Sequence, residues 1–132
     1  MTTTKEKFEV RNRYTRNVQF TAEIDVTPNM PEGVKLGAAV KWAIEEGVDL
    51  FGCSLRGAYL SGADLRSVCL GNADLRGTDL SKADLSCADL SYADLSGANL
   101  FGAELFSADF CGAELFGADL RGTHFTDPVD FP

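Results

Sequence analysis

From position 50 to position 125 every fifth residue is Leu or Phe, without a break. The series is Leu50, Leu55, Leu60, Leu65, Leu70, Leu75, Leu80, Leu85, Leu90, Leu95, Leu100, Leu105, Phe110, Leu115, Leu120 and Phe125. Two residues before each stands a small side chain, Ala in eleven of the sixteen units and otherwise Val48, Cys53, Val68, Thr78 or Thr123. Between the two comes Asp nine times and Glu twice, and two residues after the large one comes Gly nine times. The unit Ala-Asp-Leu-x-Gly thus fills residues 48–127.

A period of five suits neither regular element. On a helix each step of five turns about 140°, so the leucines would wander around the whole surface. On a flat strand an odd step sends successive leucines to opposite faces. The pattern closes only if the backbone turns a corner about every five residues, keeping Ala and Leu directed at one axis. The predicted fold class is therefore an all-β solenoid whose coils stack to bury a continuous core.

Tandem units of this kind resemble the pentapeptide repeat proteins. The resemblance covers residues 48–127 and implies a right-handed quadrilateral β-helix with 20 residues per coil, so that sixteen units make about four coils. At a strand spacing of about 4.8 Å the stack would rise roughly 19 Å. All sixteen Leu and Phe positions are then core, Ala is required because a second large side chain per corner would overfill the interior, and Cys53 in an Ala slot is a buried filler.

Residues 1–47 lack the repeat. Phe8, Val10, Val18, Phe20, Ala22 and Ile24 are spaced by two among polar residues, which predicts a β-hairpin turning near Thr15–Asn17, with Asn suited to a left-handed turn position. Thr27–Pro31 reads as a linker. Val34–Glu46 reads as a helix, with Leu36, Ala39, Val40 and Ala43 on one stripe and Gly47 as its stop; Gly37 weakens it. This hairpin plus helix is expected to cap the first coil, whose strand edges would otherwise be bare. Residues 128–132 form a short tail with two prolines counted from Asp127 onward, leaving Val129 and Phe131 to cover the last coil.

Charge is placed unevenly. Residues 1–47 hold seven basic and seven acidic side chains, and residues 48–132 hold five and thirteen, so the whole net charge of −8 falls on residues 48–132. Such a surface excludes direct nucleic-acid binding, which needs cations to displace counterions, and opposes docking on anionic membranes. A cationic partner suits it. No apolar run approaches the ~20 residues of a membrane span, no secretory signal is evident, and the expected location is cytoplasmic.

Under a 20-residue coil the acidic residues stack, Asp64, Asp84 and Glu104 in one column and Asp74, Asp94 and Glu114 in another. Carboxylates so arranged can imitate duplex phosphates. They are also what turn chemistry and solubility favour, and that reading is preferred. Cys53, Cys69, Cys87 and Cys111 fall in four different slots, with no Cys-x-x-Cys pair and a single histidine, His124, so reduced thiols and no metal site are expected. With no nucleophile–His pairing, no phosphate-cradling loop and no inward polar position, no catalytic residue, cofactor or small-molecule substrate is expected.

The slot after Leu is usually Ser or Arg, yet it holds Phe51, Phe101, Phe106 and Phe116. Phe101, Phe106 and Phe116, with Val129 and Phe131, are the candidate interaction surface near the end of the rod, through which a homodimer would form; Arg121, one coil beyond Phe101, offers a cation–π contact instead. The sequence therefore points to a non-enzymatic interaction or scaffold protein whose protein partner it does not name. The alternative follows from the resemblance: the family's quinolone-resistance members look like acidic DNA mimics that bind DNA gyrase, although with longer arrays and a dimerising helix.

Overall fold

A computed structural model describes residues 2–125. Strand β1 (Thr4–Arg11) and strand β2 (Val18–Val26) form an antiparallel hairpin, followed by helix α1 (Glu32–Glu46) and then by the repeats. The hairpin turns its Val10, Phe20, Ala22, Ile24 and Val26 face inward, onto α1, where Phe20 stacks on Trp42 with ring centroids 6.2 Å apart. The register shifts between Val10 and Arg11, so Arg11 faces Val18. This bulge leaves Val18 exposed, outside the inward face its spacing suggests, and turns the Gln19 amide to donate to the Asp49 and Phe51 carbonyls. The left-handed residue of the hairpin turn is Arg16 (φ 64°), not an asparagine; Asn12 holds the turn by accepting the N–H groups of Tyr14 and Thr15.

Helix α1 begins two residues earlier than Val34 because Pro31 supplies a fixed φ of −61° and its carbonyl accepts the N–H groups of Val34 and Lys35. It ends at Gly47 in the left-handed conformation (φ 70°). The two glycines of this helix explain themselves. Gly33 and Gly37, one turn apart, face the backbone of the first coil, and the Gly33 carbonyl accepts the Tyr59 N–H at 2.9 Å. A methyl group at Gly37 would collide with the Tyr59 carbonyl oxygen.

From Cys53 onward each unit forms one short bridge and one turn. The bridges pair residue i with residue i+20, as in Ser54–Asp74, Tyr59–Asp79, Asp64–Asp84 and Cys69–Asp89, all parallel, so four units complete one coil. Leu55 N–H donates to the Asp74 carbonyl and Asp74 N–H to the Cys53 carbonyl, and this ladder recurs up the stack. Each corner is closed by the small residue's N–H donating to the Leu carbonyl three residues back, as from Ala58 to Leu55 at 3.0 Å. The third residue of all fifteen described corners has φ between 57° and 74°, as a type II turn demands. Nine of them are Gly, and the others are Ser67, Asn72, Lys82, Cys87, Tyr92 and Ser107.

Leu50 to Leu105 and Phe110 are buried, Leu115 and Leu120 are partly covered, and Phe125 is 39% exposed at the last described position. Thr78 is tolerated in an Ala slot because its hydroxyl donates to the Leu75 carbonyl at 2.8 Å. The N-terminal elements meet the first coil through the hydrogen bonds Ser54 N–H to Arg11 O, Arg13 N–H to Gly52 O and Tyr59 N–H to Gly33 O.

Two substitutions test this packing. Leu80→Asp places an unpaired charge between coils and should abolish cooperative folding, whereas Ser81→Ala on the outer wall should retain it; circular-dichroism melts of both decide. Gly37→Ala should lose about 1–3 kcal/mol or more of stability in denaturant titrations, since the Tyr59 backbone is held on both sides and cannot give way.

Candidate interaction surface

The outer wall is set by one leftover donor. Within a unit of the inner coils, such as residues 73–77, the ladder and the corner use every backbone N–H except that of the residue after Leu. Asp or Asn two residues earlier accepts it through its side-chain oxygen. The bonds run to Phe51 from Asp49, Arg66 from Asp64, Arg76 from Asp74, Ser81 from Asp79, Ser86 from Asp84, Ser91 from Asp89, Ser96 from Asp94, Phe101 from Asn99, Cys111 from Asp109 and Arg121 from Asp119, at 2.9–3.3 Å. Every Asp and Asn of the slot makes this bond. Glu104 and Glu114, one methylene longer, do not.

The columns stack as the 20-residue register requires: Asp64–Asp84–Glu104, closed by His124, and Asp74–Asp94–Glu114. Neither is a bare row of charge. Arg66 clasps Asp64 through two bonds of 2.8 Å and approaches Asp84 to 4.0 Å. Arg76 clasps Asp74 at 2.8 and 2.7 Å and approaches Asp94 to 3.7 Å, Arg121 holds Asp119, and His124 Nδ1 lies 3.0 Å from Glu104. These guanidinium bonds hold the carboxyls of Asp64 and Asp119 at about 2, below the usual 3.8, and lower that of Asp74 too.

The outward phenylalanines are distributed unequally. Phe116 is 88% exposed, and Phe51 and Phe101 are roughly half exposed. Phe106 is half-buried. Phe101 lies under the Arg121 guanidinium, 5.8 Å from its ring centre. Val129 and Phe131 lie outside the described residues. Three exposed tyrosines, Tyr14, Tyr59 and Tyr92, lie outside the residues that the repeat pattern singles out. For Tyr92 a signal existed: it fills a slot where Gly is usual, and Gly112 stands 20 residues on.

Cys53 is buried, which pushes its thiol up to about 12, with Asp49 adding to the effect; Cys69, Cys87 and Cys111 are exposed free thiols. Among the described residues no three His, Cys, Asp or Glu side chains gather as metal ligands, and no helix is long and apolar enough to cross a membrane. The concavities are open grooves, one of those beside α1 being lined by Ile44, Val48, Leu50, Arg66 and Val68.

A filled parallel solenoid of five-residue units with a patterned outer wall defines the class of protein. The pentapeptide repeats family profile matches residues 46–81, 70–102 and 103–127, in 8 copies. The chain belongs to this family, whose members fold as right-handed quadrilateral β-helices and are generally non-enzymatic. Among solved structures it is similar to the pentapeptide repeat protein Rfr23 from the cyanobacterium Cyanothece 51142, at 35% identity and a TM-score of 0.47 over 64% of this chain and 65% of that one. It is similar to alr5209 from Nostoc PCC 7120 at 29% identity and a TM-score of 0.48, over 70% and 78%. It is also similar to QnrB1, a plasmid-mediated fluoroquinolone resistance protein, at 26% identity and a TM-score of 0.26, over 56% and 43%. No curated protein matches the sequence.

The arginine clasps predict an acid limit. The folded carboxyls of Asp64 and Asp119 titrate below their unfolded value, so they stabilise the fold fully above about pH 4 and cease to do so as pH falls toward 2. The melting temperature should fall across that window, and the fall should be shallower in the double variant Arg66→Gln, Arg121→Gln; equal slopes would show the clasps to be inert.

Proposed function

We propose that this protein is a non-enzymatic interaction or scaffold protein: a right-handed β-helix of about four coils over residues 48–127, capped by residues 1–47, that engages a protein partner in the cytoplasm. The observation that carries the reading is the last described coil. The leucines there are only partly covered, and Phe116 projects beside them at 88% exposure. An aromatic side chain this exposed, beside partly covered apolar neighbours, favours burial against another protein surface. A homodimer through this end is one such use, and the acidic wall would oppose it by repulsion.

The acidic DNA-mimic reading rests on the columns, whose four aspartates are engaged by backbone N–H groups and two of them also clasped by arginines.

Two measurements test the proposal. Light scattering across a salt series should show dimers that tighten as salt screens the repulsion, and Phe116→Ser should remain monomeric. A photocross-linking residue at position 116, compared with one at Ser96 on the same corner, should capture protein from native lysate at 116 only. A monomer at high concentration and salt that also captures nothing at 116 would overturn the interaction reading, and inhibition of gyrase supercoiling by purified protein would establish the DNA-mimic alternative in its place.

A further inference from the structure

A second surface lies on a different corner of the rod. Residues 51–52, 71–72, 91–92 and 111–112 occupy the same corner on successive coils. The Phe51 ring lies against Gly71, where a Cβ would sit 3.2 Å from it, and the Tyr92 ring lies against Gly112, where a Cβ would sit 2.5 Å away. Tyr14, from the hairpin turn, reaches the same corner, its hydroxyl 3.4 Å from Asn72 Oδ1. These three rings are 48%, 61% and 63% exposed for Phe51, Tyr92 and Tyr14. One is already stacked by a cation of the chain itself, since the Arg13 guanidinium lies 5.0 Å from the Tyr14 ring centre.

The register also frames Tyr92 with carboxylates. Asp89 and Asp109 precede the corner on adjoining coils, and Asp94 and Glu114 follow it. Arg76, the guanidinium that reaches Asp94, is already clasped by Asp74. An exposed aromatic face among four carboxylates is a receptor for a cation. Tyr92 moreover has φ 59°, in a slot where Gly is free of strain, so the ring is kept against a local backbone cost.

Spacing sets the shape of the ligand. The ring of Phe51 lies at the level of Gly71 and that of Tyr92 at the level of Gly112, two coils apart, or about 9.6 Å at ~4.8 Å per coil. A polyproline II helix advances about 9.3 Å in three residues and returns to the same side, whereas a β-strand puts residues i and i+3 on opposite sides. We infer that this corner docks an extended, proline-rich basic segment of a partner protein, with Arg or Lys on Tyr92 and a Pro or apolar residue three positions away on Phe51. The inference rests on the interaction reading above but uses a separate corner.

Fluorescence anisotropy with the labelled peptide Pro-Pro-Leu-Pro-Pro-Arg-Pro-Pro-Arg tests it. The parent should bind at low salt and release the peptide as salt rises, and the peptide with Glu for Arg should not bind. Tyr92→Gly should weaken binding about tenfold or more while the melting temperature holds or rises, and Glu114→Gln should weaken it less and flatten the salt dependence. Equal binding by the parent and Tyr92→Gly, or none by the parent at low salt, would overturn the inference. Salt-independent binding of cellohexaose that is lost in Tyr92→Gly would overturn it as well, assigning the strip to a sugar. Cross-linking at position 116 is untouched by any of these results, so the two readings fail separately.

Discussion

The hydrogen bond from the residue after Leu to the Asp or Asn before it governs the rest of the outer wall. A coil that turns a corner every five residues can pair most of its backbone groups with the coils above and below, but the first corner residue points its N–H outward. Water could take that donor, yet a side-chain oxygen two residues back fixes the corner as well as satisfying it. Asp and Asn have the right reach and Glu does not, as Glu104 and Glu114 show by lacking the bond. The preference for Asp or Asn in this slot begins as a solution to a local geometric problem.

Inside, the same register removes choice. Successive leucines on one face stack directly over one another, so each is enclosed by its own kind and by the small residues flanking it. A fully buried Leu contributes about 1.5–3 kcal/mol, and the array repeats that contribution at every unit while the corners cost little where Gly supplies the positive φ. The ends break the symmetry. At the N-terminal end three backbone hydrogen bonds from the hairpin and from α1 meet the first coil, and Gly33 and Gly37 let the helix backbone approach closer than any side chain would allow.

Much of this was legible in the sequence because the relevant signals are periodic. Leu every five residues implies an inward axis, alternation over Phe8–Ile24 implies a hairpin, and Gly47 marks a helix end. The number of sides is not contained in a period of five; it emerges from pairing i with i+20, and the family resemblance alone anticipated it. Gly37 reads from sequence as a weak point in a helix and is in the structure a contact, because a close approach depends on a backbone far along the chain. The inward place suggested for Val18 fails through a bulge that alternation does not encode. The slot after Leu gives no sign of Tyr92, whose ring lies one position later, against Gly112 of the next coil.

Asn99 shows how much of the wall's charge folding requires. Its amide oxygen accepts the Phe101 N–H at 3.0 Å, within the range spanned by the carboxylates elsewhere. An uncharged acceptor therefore closes the corner, and the nine Asp residues of that slot bring a negative charge the fold does not need. Arg66, Arg76 and Arg121 offset three of them through clasps, at Asp64, Asp74 and Asp119. What remains is concentrated where arginines are absent from the slot after Leu, around Ser86, Ser91 and Ser96, each beside its own Asp. Neutral Ser there leaves Asp84, Asp89 and Asp94 uncompensated by their own units. The middle of the rod is thus more acidic than backbone satisfaction demands, and it keeps like rods from packing side by side while favouring approach by a cation. Local turn chemistry selects the oxygen; the choice of carboxylate over amide is what gives the surface its polarity.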